Sequence, residues 1–204
     1  MSTTRQRWLD EGLAVLAEEG EGGLRIDRLA ARLGLTKGSF FHHFGGAAGF
    51  RTALLEEHER TALAALTEAV GSRADDGTGD GTGAGTDATL AWLTERMTAE
   101  PGATRRTRLD LAVRAWAASD PEARETQARL DAAAIDALQA AWRPAVSSDE
   151  DARVAALVPY LVALGAAAMV PPVTADELRR VYDLLLATVP EVTARSSRAV
   201  SRRR

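Results

Sequence analysis

The sequence predicts an all-α protein: a short helix-turn-helix unit at the N-terminus, then a succession of longer helices. Apolar residues recur at helical spacing through nearly every segment between positions 4 and 189. Capping residues and prolines stand where those patterns begin and stop. The stretch 25–44, RIDRLAARLGLTKGSFFHHF, reads as two short helices joined by a tight turn.

The first helix is expected over 4–19, with Trp8, Leu9, Leu13 and Leu16 on one face and Arg5, Arg7, Asp10, Glu11 and Glu18 toward water. Gly20, Gly22 and Gly23 end it, and an alternative reading makes Arg5 and Arg7 a phosphate-contacting arm. In the next helix Ile26, Leu29, Ala30 and Leu33 form the apolar face, with Arg28 and Arg32 opposite. Gly34 supplies the left-handed turn, Leu35 tucks beneath it, and Thr36 caps a second helix built around buried Phe40 and Phe44. That helix presents Lys37, Ser39, His42 and His43.

Charge sets this unit apart. No Asp or Glu occurs from Arg28 to Leu55, which holds Arg28, Arg32, Lys37 and Arg51, in a chain whose net charge is −4. A basic island on an acidic protein suits a surface that meets phosphate. Lys37, the chain's one lysine, opens the second helix, where a recognition helix reaches base edges.

The segments AVLAEEG (14–20) and IDRLAARLGLTKGSFFHHF (26–44) resemble the N-terminal domain of TetR-family (tetracycline-repressor-like) transcriptional regulators. The match rests on an Ala-x-x-x-Gly turn followed by Thr-Lys-Gly-Ser, two aromatics and His-Phe, and the later helices match only as a succession of suitable length. Phe41 stands where the family usually has Tyr, and GGAAG at 45–49 replaces a start that usually contains Lys and Glu, departures that bear on affinity rather than fold. The resemblance implies a helix-turn-helix DNA-binding domain over 1–46 and a helical ligand-binding and dimerisation domain over 47–190. Lys37 and Ser39 are then candidates for base edges, and Thr36, Phe41, His42 and His43 for sugar and phosphate, with Arg25, Arg28 and Arg51 as outlying cations.

Further along, 50–70 is expected to be a long connecting helix with Leu54, Leu55, Leu63 and Leu66, its glycine-rich start acting as a soft joint. His58, flanked by Glu56, Glu57 and Glu59, reads as part of a solvated face rather than a metal ligand, since no second ligand stands at i+4. Residues 71–87 hold six glycines in seventeen positions and no large apolar group, so a flexible loop is expected. Helices should follow over about 86–99, 104–118 and 121–142, the last opened by Ser119-Asp120-Pro121-Glu122. Ser147 with Glu150 and Thr174 with Glu177 open two more, to about 170 and 189, and Pro159 should kink the first. That helix is apolar nearly all round in its C-terminal half, and with its successor it can form half of a four-helix bundle with a second copy. Residues 191–204, with five arginines and one glutamate, read as a basic disordered tail.

Other classes fit less well. Without cysteine there is no disulfide framework or thiolate chemistry, and no Ser-His-Asp set, HExxH motif or paired carboxylates within an apolar run point to an enzyme, a metal or a cofactor. No signal peptide is visible and the longest apolar run, 161–173, is too short to span a bilayer, so a cytoplasmic location is expected. The expected function is a ligand-responsive repressor that binds a pseudo-palindromic operator as a homodimer and is released by a small, mainly apolar effector. Trp92, Met97, Trp116, Trp142 and Tyr160 are the candidate effector-lining side chains. The alternative is a dimeric ligand- or partner-binding protein with a weakened helix-turn-helix.

Overall fold

The computed structural model describes residues 3–75, 101–143, 146–171 and 173–185, and these are helical throughout apart from short connections. The helices are α1 (Thr4–Glu19), α2 (Ile26–Leu33), α3 (Lys37–Phe44), α4 (Ala47–Asp75), α5 (Pro101–Ala117), α6 (Pro121–Trp142), α7 (Asp149–Ala168) and α8 (175–185). The segments 76–100 and 186–204 lie outside the described residues. So do the expected helix near 86–99, most of the glycine-rich loop and the basic tail. α4 continues to Asp75, several residues into the stretch read as loop.

Contacts divide the chain into two compact units. One gathers residues up to Ala69 with Pro101–Ala132, so α5 and the first half of α6 belong with the helix-turn-helix. The other holds the C-terminal half of α6, α7 and α8. These contact units do not follow a 46/47 boundary, because among the described residues α1 packs more extensively on α5 than on any other helix.

In the first unit, Thr3 caps α1 by accepting the Gln6 amide, and Trp8, Leu9, Val15 and Leu16 are buried along one face. Trp8 and Leu9 join Leu29, Phe40, Phe44, Phe50 and Leu54 in one cluster. Leu16 joins Leu55, Val113, Trp116 and Ala123 in a second. Ion pairs fix the outer seams: Arg129 bridges Glu59 through both carboxylate oxygens at 2.6 and 2.7 Å, and Arg114 bridges Asp131 at 2.6 and 3.0 Å. Asp120, not Ser119, caps α6, its Oδ1 accepting the Ala123 amide at 3.0 Å. Pro121 then fills the first helical position, where a missing N–H costs nothing.

The glycine-rich start of α4 is not a soft joint. Gly45 ends α3 in the left-handed conformation at φ 69°, with its amide on the Phe41 carbonyl. Gly49 lies inside α4, and a Cβ there would stand 2.2 Å from the Phe44 carbonyl oxygen. Backbone cannot yield as a side-chain tip can, so this glycine sets how closely α3 and α4 meet.

His58 is the second correction. Its three acidic neighbours suggest solvent, yet it follows Leu54 and Leu55 on the inward face of α4 and is 2% exposed. Its Nε2 has no hydrogen-bonding partner among the described residues and stands 3.8 Å from Asp110 on α5. Burial holds its pKa below the ordinary imidazole value, against the pull of Glu59. Loss of hydration pushes the Asp110 carboxyl up to about 6, against Arg114 and Arg106.

The second unit is capped more regularly. Ser148, one residue later than expected, caps α7 by accepting the Asp151 amide at 3.1 Å. Thr174 and Glu177 form a reciprocal capping box: the Thr174 hydroxyl accepts the Glu177 amide at 3.2 Å and Glu177 accepts the Thr174 amide at 2.9 Å. Trp142 packs with Ala152 and Ala156, and the Tyr182 hydroxyl donates to the Pro159 carbonyl at 3.3 Å. α7 is arranged inside out. Ala152, Ala156 and Pro159 face in, while Val154, Val158 and Leu161, at i, i+4 and i+7, are 59%, 40% and 60% exposed. Val181 and Leu184 on α8 are exposed as well. α7 is long and apolar enough to cross a membrane by length and composition alone, longer than the uninterrupted run 161–173 indicates.

Two outcomes follow from these contacts. Gly49→Ala should lower stability by about 1–3 kcal/mol in chemical denaturation, as overpacking against backbone does, and an unchanged midpoint would show that the α3–α4 approach is loose. For His58 the folded state resists a proton that the unfolded chain accepts below about pH 6.5, so this residue's contribution is lost as pH falls. His58→Leu should therefore lose less stability than the wild type between about pH 7 and 5 in parallel melts.

Candidate nucleic-acid interface

The turn between α2 and α3 follows directly from its residues. Gly34 sits at φ 63°, ψ 32°, and its amide reaches the Ala31 carbonyl while the Leu35 amide reaches Ala30 at 3.0 Å. This paired closure is the one a left-handed glycine permits at a helix end, and it leaves Leu35 against the core. Thr36 then opens α3, its hydroxyl accepting the Ser39 amide at 3.3 Å.

α3 is held from behind by rings. Phe40 is fully buried, with Trp8 of α1 edge-on at 5.2 Å, Phe50 of α4 at 5.0 Å and Phe44 at 5.2 Å. The opposite side faces solvent. Thr36, Lys37, Phe41 and His42 are exposed, and Ser39 and His43 half-buried. Gly38 lies among them with no atom but the Thr36 hydroxyl within 4 Å of where a Cβ would be, so backbone is bare on the presented face. Phe41, 50% exposed, stands edge-on to Phe40. The His42 and His43 rings are 5.1 Å apart.

The cations are not free. Arg28 is held by Glu19 through two hydrogen bonds at 2.6 and 2.8 Å, Arg51 by Glu21 at 2.9 Å and Lys37 by Asp27 at 2.5 Å. Arg32 reaches Glu11, Glu18 and Glu19. Arg25 is exposed at the N-cap of α2. The partners' carboxyls respond: the Arg28 guanidinium holds Glu19 below the usual carboxylate range, and Lys37 does the same to Asp27. Four of these five carboxylates precede α2 and the fifth, Asp27, is its second residue, so the acid-free window 28–55 is a basic island in sequence but not in space. Arg5 and Arg7 are engaged too, Arg5 over the Phe44 ring at 5.5 Å and Arg7 donating to the Leu33 carbonyl at 3.0 Å.

Residues 9–54, which span α1, α2, α3 and the start of α4, match the family model described as bacterial regulatory proteins, tetR family. This N-terminal segment is a domain of the TetR regulator type. The fold of the chain is similar to that of a transcriptional regulator from Rhodococcus sp. Rha1, with TM-score 0.71 at 19% identity, covering 93% of this chain and 97% of that one. A chain from Saccharomonospora viridis, described as a regulator of transcription and crystallised in complex with choline, gives TM-score 0.72 at 18% identity, covering 91% and 96%. The multidrug binding protein EbrR complexed with malachite green gives 0.61 at 20% identity, covering 90% and 98%. At these identities the likeness establishes the fold. No curated protein matches the sequence.

The candidate effector residues that are described lie in both units. Trp116 packs in the first unit with Leu16, Leu55 and Val113, Trp142 packs in the second with Ala152 and Ala156, and Tyr160 is half-buried on α7. Trp92 and Met97 lie outside the described residues.

Proposed function

We propose that this chain is a ligand-responsive repressor that binds a pseudo-palindromic operator as a homodimer and is released by a small, mainly apolar effector. The observation that carries the DNA reading is the rigid presentation of α3: one face locked by Phe40, the other offering Thr36, Lys37, bare Gly38 and Phe41 to solvent. In this reading Lys37 and Ser39 meet base edges. Thr36, Phe41, His42 and His43 lie along sugar and phosphate, and Arg25, Arg28 and Arg51 position the duplex. Two α3 helices spaced by about 34–36 Å would enter successive major grooves.

Pairing of two copies is supported by α7. Large apolar side chains point outward along Val154, Val158 and Leu161, and Gly165 follows one turn later with no described residue within 4 Å of a would-be Cβ. A ridge with a smooth patch beside it suits close packing against a second α7–α8 pair. Choline and malachite green, present in the complexes of two similar proteins, are small organic cations, which supports a small-molecule effector though not its apolar character. A coupling of about 1–3 kcal/mol between effector and DNA would change occupancy about 5- to 150-fold. The functional division is then a DNA-binding domain over 1–46 and a ligand-binding and dimerisation domain over 47–190.

The test is binding of the purified protein to a labelled fragment of its own upstream region, at two salt concentrations and against unrelated competitor. Neutralising about eight phosphates per dimer predicts a slope of log K on log salt of roughly −7. Lys37→Ala should weaken binding and relax sequence preference, and unchanged affinity and preference would remove Lys37 from base readout. In sedimentation the wild type should be dimeric, and Leu161→Arg with Leu184→Arg should make it monomeric and lower DNA affinity while leaving the helical signal intact. A wild-type dimer with no preference for any duplex would favour the ligand- or partner-binding alternative, to which the carboxylate-held cations also lend weight.

A further inference from the structure

The cations of the reading surface carry their own counter-anions, and one pair stands where a recognition helix begins. Lys37 is the first residue of α3 and Asp27 the one carboxylate of α2; they meet across the turn at 2.5 Å. Both side chains are mostly open to solvent, 62% and 69%, so the pair is not part of the core. α3 has no acidic residue in its first turn, and a lysine there faces the positive end of the helix dipole. Asp27 offsets both charges. Arg25 is the other cation acting on Asp27, while Arg28 and Arg32 are turned to Glu11, Glu18 and Glu19.

We propose that Asp27 is a built-in competitor of DNA for Lys37, a residue that lowers DNA affinity and contributes only weakly to the fold. The proposal rests on the reading above, in which Lys37 meets the duplex. A phosphate or base edge arriving at Lys37 must displace the Asp27 carboxylate and leave it beside a polyanion. Removing the Asp27 charge should then release Lys37 at the small cost of one exposed pair and one first-turn carboxylate. The pair is exposed, so the gain is modest: about 2- to 5-fold per reading head, which multiplies to about 4- to 25-fold in a dimer that engages both. One more effective cation per head should also steepen the salt dependence by about one unit each.

Because phosphate attraction is independent of sequence, the experiment needs no operator. Full-length wild type, Asp27→Asn, Lys37→Ala and the double variant are titrated with a labelled duplex of arbitrary sequence at low and at near-physiological salt, with thermal melts of each protein alongside. The expected result is tighter binding and a steeper slope for Asp27→Asn, no gain from the same change in the Lys37→Ala background, wild-type affinity for Asp27→Glu, and near-equal melts. Wild-type binding with no gain in Asp27→Asn overturns the role of Asp27 alone. An equal gain with and without Lys37 also overturns it, since Asp27 would then act by general repulsion. No binding by any of the proteins at low salt overturns the reading of the helix-turn-helix and this role with it.

Discussion

The first unit depends on one buried ring. Phe40 projects from the back of α3 into a space closed by Trp8 of α1 and Phe50 of α4, with Phe44 one turn along. Edge-to-face pairs of this kind add about 0.5–1.5 kcal/mol each beyond the area they bury. Their larger effect is geometric, since rings at fixed angles admit one orientation of α3 about its axis. That orientation decides which side chains face out. With Phe40 pinned, Lys37 and Phe41 lie toward solvent and Gly38 leaves bare backbone between them. Gly49 completes the constraint, because only a residue without Cβ lets α4 start so close to the Phe44 carbonyl.

The electrostatics work against the packing. A rigid, outward-facing α3 is suited to a polyanion, yet Arg28, Arg32, Lys37 and Arg51 are each held by a carboxylate from α1, the short connection after it, or α2. Exposed pairs of this kind are individually weak and exchange readily with other anions. They do not prevent phosphate from binding, but they set a threshold that free arginines would not.

Much of this unit was legible in the sequence, for a local reason. The glycine turn, the Thr36 cap, the buried Phe40 and Phe44 and the extent of α1 all follow from residues within a few positions of one another. What failed was non-local. The basic island was counted over a window of sequence, while the carboxylates that meet it come from Glu11 to Asp27, ahead of that window. His58 was read from its three acidic neighbours, although its spacing from Leu54 and Leu55 already placed it on the inward face. The glycines at 45–49 look like flexibility in one dimension and prove to be a close approach in three. Positions 25, 28, 36, 37, 39, 41, 42, 43 and 51 lie on or beside the helix-turn-helix, whereas Trp116 and Trp142 are buried in local clusters, because a large side chain in a helix announces burial without saying against what.

α7 states the remaining problem most clearly. A core helix of a monomer turns its largest apolar groups inward; α7 turns alanines and Pro159 inward and valines and Leu161 outward. A bilayer would cover such a surface, but it would also have to accommodate Asp149, Glu150, Asp151 and Arg153 in the first two turns and would gain little from a face of small residues already packed on Trp142. A second α7–α8 pair answers the observed pattern better. It needs only the outward stripe, it finds close approach at Gly165, and it leaves the acidic first turn in water. The inward face is small because Trp142 fills the space behind it, and in the proposed pairing the large outward face meets a second copy of itself.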